Sequence, residues 1–77
     1  MKKAEYKGWI LFASQSFDGR WWGWILNERR GYVYCSRIPC APSAPAAEAQ
    51  QFVWHVAIER KGDQHLTEPD WVEVPIN

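Results

Sequence analysis

Residues 20 to 26, Arg-Trp-Trp-Gly-Trp-Ile-Leu, constrain the fold more than any other stretch of the chain. Three tryptophans, Trp21, Trp22 and Trp24, fall within four positions. Aromatic and branched side chains at this density fit a pleated surface, so the run reads as a strand. Asp18-Gly19 precedes it and Arg29-Arg30-Gly31 follows it, a turn signal on each side. The run is therefore expected to be the middle strand of a small sheet.

A chain of 77 residues has room for one domain. A domain this small buries only about 60% of the surface its unfolded form exposes, so its core needs large side chains. Six Trp, three Tyr and three Phe supply them. Nine basic residues balance nine acidic ones, without the positive excess typical of a dedicated DNA-binding domain. Tyr6-Lys7-Gly8 interrupts the N-terminal stretch before it could serve as a signal peptide. No apolar run approaches the roughly 20 residues of a membrane span. The expected setting is the cytoplasm, where Cys35 and Cys40 would be reduced thiols.

Residues 5 to 13 read as a first strand. Ser14 to Gly19 is a polar connection ending in Asp-Gly, a hairpin signal. Asn27 to Gly31 is the next turn, and Tyr32 to Arg37 a third strand. If Asp18-Gly19 is a two-residue turn, Ala13 lies opposite Trp24 and Phe12 opposite Ile25. The second turn then sets Ile25 opposite Tyr34 and Trp24 opposite Cys35. One sheet face would carry Trp9, Leu11, Ala13, Trp22, Trp24, Leu26, Val33 and Cys35, and this is the expected core. The other would carry Tyr6, Ile10, Phe12, Trp21, Ile25, Tyr32 and Tyr34, with Gly23 among them. A slip of one residue exchanges the two sets.

Residues 38 to 45 contain three prolines and form a stiff linker. Ser43, Pro45 and the Ala46-Ala47-Glu48-Ala49 run mark a helix start. Glu48, Gln51, His55 and Glu59 then form a polar stripe at helical spacing. Residues 51 to 60 also alternate as a strand would, with Phe52, Trp54, Val56 and Ile58 on one side. Lys61-Gly62-Asp63 ends this element, His65 to Asp70 is a polar loop, and Trp71 to Ile76 reads as a short edge strand. The expected fold is α+β, a three- to four-stranded antiparallel sheet packed on one helix. A small five-stranded β-barrel is the alternative if residues 51 to 60 are extended.

Three segments carry a likeness to a known family. They are Phe17-Asp18-Gly19-Arg20-Trp21-Trp22-Gly23-Trp24, Gly31-Tyr32-Val33-Tyr34-Cys35-Ser36 and Ala46-Ala47-Glu48-Ala49. In that order they resemble the small YegP-like bacterial domains of unknown function, over residues 10 to 58 at most. The resemblance implies a strand-strand-strand-helix layout and no activity. Arg29-Arg30-Gly31 stands here where that pattern has Asn-Gly.

Few residues carry a chemical signature. Cys35, Cys40, His55 and His65 are nominal zinc donors, but their spacing is looser than that of a zinc knuckle. A small core thiol, a linker thiol and solvated imidazoles are the preferred account of them. Cys40 or Ser43 with His55 could be drawn as a nucleophilic dyad, but nothing marks either as activated. The five glycines are scattered and build no phosphate loop. The expectation is a chain that is not an enzyme and has no cofactor or metal site.

The rings suggest association instead. One helix cannot cover both faces of a sheet that is apolar on both. Tyr6, Phe12, Trp21, Tyr32 and Tyr34 are the candidate interaction residues, on the face the helix would leave bare. The expected partner is a second copy or another protein. Cover from the linker and tail would remove the need for one. Stacking of unpaired bases on Phe12, Trp21, Tyr32 and Tyr34, with phosphates on Arg20, Arg29, Arg30 and Arg37, is the alternative.

Overall fold

The computed structural model describes residues 1–63 and 67–75. Five strands and one helix follow in the order β1 (Lys2–Tyr6), β2 (Trp9–Gln15), β3 (Trp21–Asn27), β4 (Gly31–Arg37), α1 (Ala46–Lys61) and β5 (Val72–Glu73). The strands form one open antiparallel sheet in the order β4-β3-β2-β1-β5, and α1 packs against β2 and β3. The fold is α+β, a sheet on one helix. Residues 51 to 60 are helical, so the barrel alternative does not form.

The sheet gains a strand at the N-terminus. The expected first strand, residues 5 to 13, is a hairpin in which Tyr6 pairs with Trp9. Lys7 and Gly8 both have positive φ, 46° and 82°, as a two-residue primed turn requires. Lysine seldom takes that position, which hid the turn in the sequence.

The register of β2 against β3 decides which side chains each face of the sheet carries. Ser16 N–H donates to the Arg20 carbonyl at 2.8 Å and Gly19 N–H to the Ser16 carbonyl at 2.9 Å. Three residues, Phe17, Asp18 and Gly19, therefore form the loop. Of these only Gly19 has positive φ, at 88°. This is a turn followed by a left-handed glycine, in which Asp18 keeps ordinary backbone geometry. The Asp18 carboxylate accepts from Ser16 Oγ at 2.5 Å and from Arg20 N–H at 3.2 Å, which holds the loop in that form. Gln15 pairs with Trp21, Ala13 with Gly23 and Phe12 with Trp24. The expected pairing of Ala13 with Trp24 is one residue out, and β3 presents the opposite set of side chains to the helix. The expected pairings of Ile25 with Tyr34 and Trp24 with Cys35 do occur, reached through a bulge between Ile25 and Leu26.

The core lies between sheet and helix. It contains Ala4 and Tyr6 of β1, Leu11 and Ala13 of β2, Trp21 and Ile25 of β3, Ile38, and Ala49, Val53, Trp54 and Ala57 of α1. Leu11, Ile25, Ile38 and Val53 are fully buried, and each stabilises the fold by about 1.5–3 kcal/mol over an exposed position. Gly23 lies under the helix. A Cβ there would sit 2.7 Å from Val53 Cγ2, so the missing side chain is what lets the helix approach β3. The expected polar stripe of α1 is solvent-exposed at Glu48, Gln51, His55 and Glu59. The proline-rich linker returns to the helix side, where Ile38 fills the core and Cys40 packs on it.

Candidate aromatic interface on the open sheet face

The register divides the candidate interaction residues. Tyr6, Trp21 and Tyr34 face the helix. Tyr6 stacks edge-on against Trp54 with ring centroids 4.7 Å apart, and its hydroxyl donates to the Asp63 carboxylate. Burial and that carboxylate push the Tyr6 phenol up to about 12. In turn the Tyr6 hydroxyl, aided by Lys7 Nζ at 3.2 Å, holds the Asp63 carboxyl below its usual value. Trp21 is only 7% exposed. Tyr34 packs on the core with the Arg60 guanidinium 5.4 Å from its ring centroid. Only Phe12 and Tyr32 lie on the face away from the helix.

That face carries Trp22, Trp24 and Leu26 where the sequence suggested Trp21 and Ile25. Strand pairing arranges it as a grid of three rows across β1, β2, β3 and β4. The first row is Ser14, Trp22 and Arg37, and at its end Met1, which precedes β1, lines a concavity together with Ser14. The second is Lys3, Phe12, Trp24 and Cys35, with Val72 of β5 beside Lys3. The third is Glu5, Ile10, Leu26 and Tyr32. Ile10, Phe12, Trp22, Trp24 and Leu26 are half-buried, while Tyr32 is 69% exposed. Met1, Phe12, Trp24 and Tyr32 line a shallow concavity of about 200 Å³. Trp22 Nε1 donates to Ser16 Oγ at 3.2 Å, which fixes its indole over the start of the loop. Among the described residues no element packs across this face.

Charge sits at its margins. Lys3 and Glu5 lie on β1 and Arg37 at the far end of β4, with Glu28, Arg29 and Arg30 in the β3–β4 turn. The centre, Phe12 and Trp24, is aromatic, and the border mixes the charged Lys3, Glu5 and Arg37 with the apolar or aromatic Ile10, Trp22, Leu26 and Tyr32.

Of the nominal zinc donors, the three described ones do not converge. Cys35 is exposed on the open face, Cys40 is half-buried beside the core, and His55 is exposed on the helix. His65 lies outside the described residues. Burial, helped by Glu48, raises the Cys40 thiol above its usual value and so disfavours the thiolate. Among the described residues no group of three or more His, Cys, Asp or Glu side chains is placed to hold a metal ion. No helix among them is long and apolar enough to cross a membrane.

One signal in the sequence pointed to the correct face. Trp21, Gly23 and Ile25 alternate with Trp22, Trp24 and Leu26, and only the first set contains a glycine. A glycine within a strand marks the side where another backbone comes close. Comparison with known proteins adds no assignment: no family model, no curated protein and no solved structure matches the chain.

Proposed function

We propose that the chain is a protein-interaction module that self-associates through its open sheet face. The observation carrying this reading is the one-sided cover of the sheet. α1 covers one face, while Phe12, Trp22, Trp24, Leu26 and Tyr32 remain together on the other. An apolar aromatic patch of this kind gains free energy when a second surface excludes water from it. Base stacking is supported less well. Glu5 stands on the face itself, Ile10 and Leu26 interrupt the rings with aliphatic groups, and the chain has no net charge. Two free thiols, one exposed on this face, fit a reducing cytoplasmic setting.

Sedimentation of the full chain from micromolar to millimolar concentration tests the proposal. The mass is expected to rise toward twice that of the monomer. A Trp22→Ser/Trp24→Ser double variant is expected to stay folded and monomeric, because neither ring belongs to the core. A wild-type chain that remains monomeric at the highest concentration refutes the reading.

A further inference from the structure

We propose that the partner copy docks with its strands crossed at about 90° to those of the first, Glu5 of each copy meeting Arg37 of the other. This rests on the self-association reading and adds its geometry. Over β1 to β4 the face is close to square, with Val72 of the two-residue β5 beyond Lys3. Four strands at about 4.8 Å and three rows at about 6.8 Å give spans of roughly 14 Å each way between outer positions. It can therefore be laid on a copy of itself with strands aligned or with strands crossed, and both classes of sheet packing occur.

The charged groups choose between the arrangements. A two-fold contact has its axis in the plane between the sheets, and four directions keep the grids superposed. With the axis parallel to the strands, Glu5 lies over Tyr32, Arg37 over Met1 and Lys3 over Cys35, leaving three charges without partners. An axis across the strands lays Lys3 on its own copy. The diagonal through Glu5 and Arg37 lays each of those on its own copy, pairing like charges. The diagonal through Met1 and Tyr32 remains. It places Glu5 over Arg37 and Arg37 over Glu5, two equivalent ion pairs at opposite corners. Lys3 then falls beside Trp22 of the other copy, where an ammonium can rest on an indole face. Tyr32, the most exposed ring of the face, lies on the axis and meets its own copy. Phe12 and Trp24 fill the middle.

The area suits this geometry. Each face covers roughly 400 Å² in projection and more along the side chains, so two copies bury on the order of 1,000 Å². That is near the lower limit for a specific interface, where pairing of rim charges decides orientation. The resulting dimer has four layers, helix, sheet, sheet and helix.

Reversal of the two charges, read by sedimentation and by mixing, tests the arrangement. Glu5→Arg and Arg37→Glu are each expected to weaken the wild-type dimer by roughly tenfold or more, since each replaces two attractions with two repulsions. The double variant Glu5→Arg/Arg37→Glu is expected to recover self-association. An equimolar mixture of the single variants is expected to form mixed dimers at near wild-type strength. If the wild type dimerises and Trp22→Ser/Trp24→Ser abolishes it, but the charge reversals have no effect or the double variant does not recover, the crossed geometry is overturned and self-association stands. A monomeric wild type overturns both.

Discussion

Substitution of Gly23 by alanine probes the contact that seats the helix on the sheet. The added Cβ would lie 2.7 Å from Val53 Cγ2 and 3.3 Å from Ile38 Cδ1. Carbon atoms in comfortable contact are about 3.5–4.0 Å apart, so the first distance is short by roughly 1 Å. Val53 and Ile38 are both fully buried and have little room to move. Overpacking of this kind costs about 1–3 kcal/mol. Replacing a strand glycine offsets about 0.5–1 kcal/mol of that through the backbone. The expected net loss is about 1–2 kcal/mol, a fall in Tm of roughly 5–15 °C for a domain of this size. Val53→Ala alone removes two methyl groups and leaves a cavity, at about 2–3 kcal/mol. It also removes the atom that clashes. The double variant is therefore expected to be no less stable than Val53→Ala, with a coupling of about 1–2 kcal/mol between the sites. Urea unfolding of the four proteins, compared at constant m-value, measures this directly. A Gly23→Ala protein as stable as wild type, or losses that simply add, would refute the close packing of helix on β3.

Two further expectations follow from the hairpins. Because the Tyr6 phenol is raised above its unfolded value of 10.0 to about 12, its contribution is complete below pH 10 and fades as pH rises through the folded value. Wild-type stability should therefore fall between about pH 10 and 12, and Tyr6→Phe should flatten that part of a pH-dependent urea series; an unchanged slope would contradict the burial of Tyr6 beside Asp63. Deleting Phe17 leaves Asp18-Gly19 as a two-residue turn between Ser16 and Arg20, so the pairing of Ala13 with Gly23 should persist, read as a cross-strand contact by NMR; a shift to Ala13 opposite Trp24 would show that the loop sets the register.

The layout of this protein was legible where patterns were one-sided. The strand at Trp21 and the strand at Tyr32 had turn signals and an aromatic, branched composition that pointed one way, and the helix after Pro45 was marked by its start signal although residues 51 to 60 also alternate as a strand would. The faces of β3 were not legible from hydrophobicity, because Trp21 and Ile25 are as apolar as Trp22 and Trp24. Their orientation depends on whether Arg20 pairs with Phe17 or with Ser16, and both pairings fit an Asp-Gly turn. The assignment of Tyr6 to the interaction face failed for a related reason. A single strand from residue 5 to 13 concealed the Lys7-Gly8 turn, and the fold-back beside β2 brings Tyr6 to Trp54 and Asp63. Phe12 and Tyr32 were placed on the open face because the pattern of β2 and the bulge of β4 left their sides unchanged.

The loop between β2 and β3 is firmly held except at one point. Gln15 Nε2 ties it to the carbonyls of Gly19 and Pro42 at 2.8 and 2.7 Å, and Ser16 and Asp18 close it from within. Phe17 alone projects into solvent, fully exposed. Its backbone lies outside the ladder and its ring packs on nothing that orders the fold. The chain can therefore vary in length at this position while both sheet faces keep their composition. Change over generations would register here as insertion, deletion or fusion, while at Gly23 the packing of Val53 and Ile38 admits almost no alternative residue.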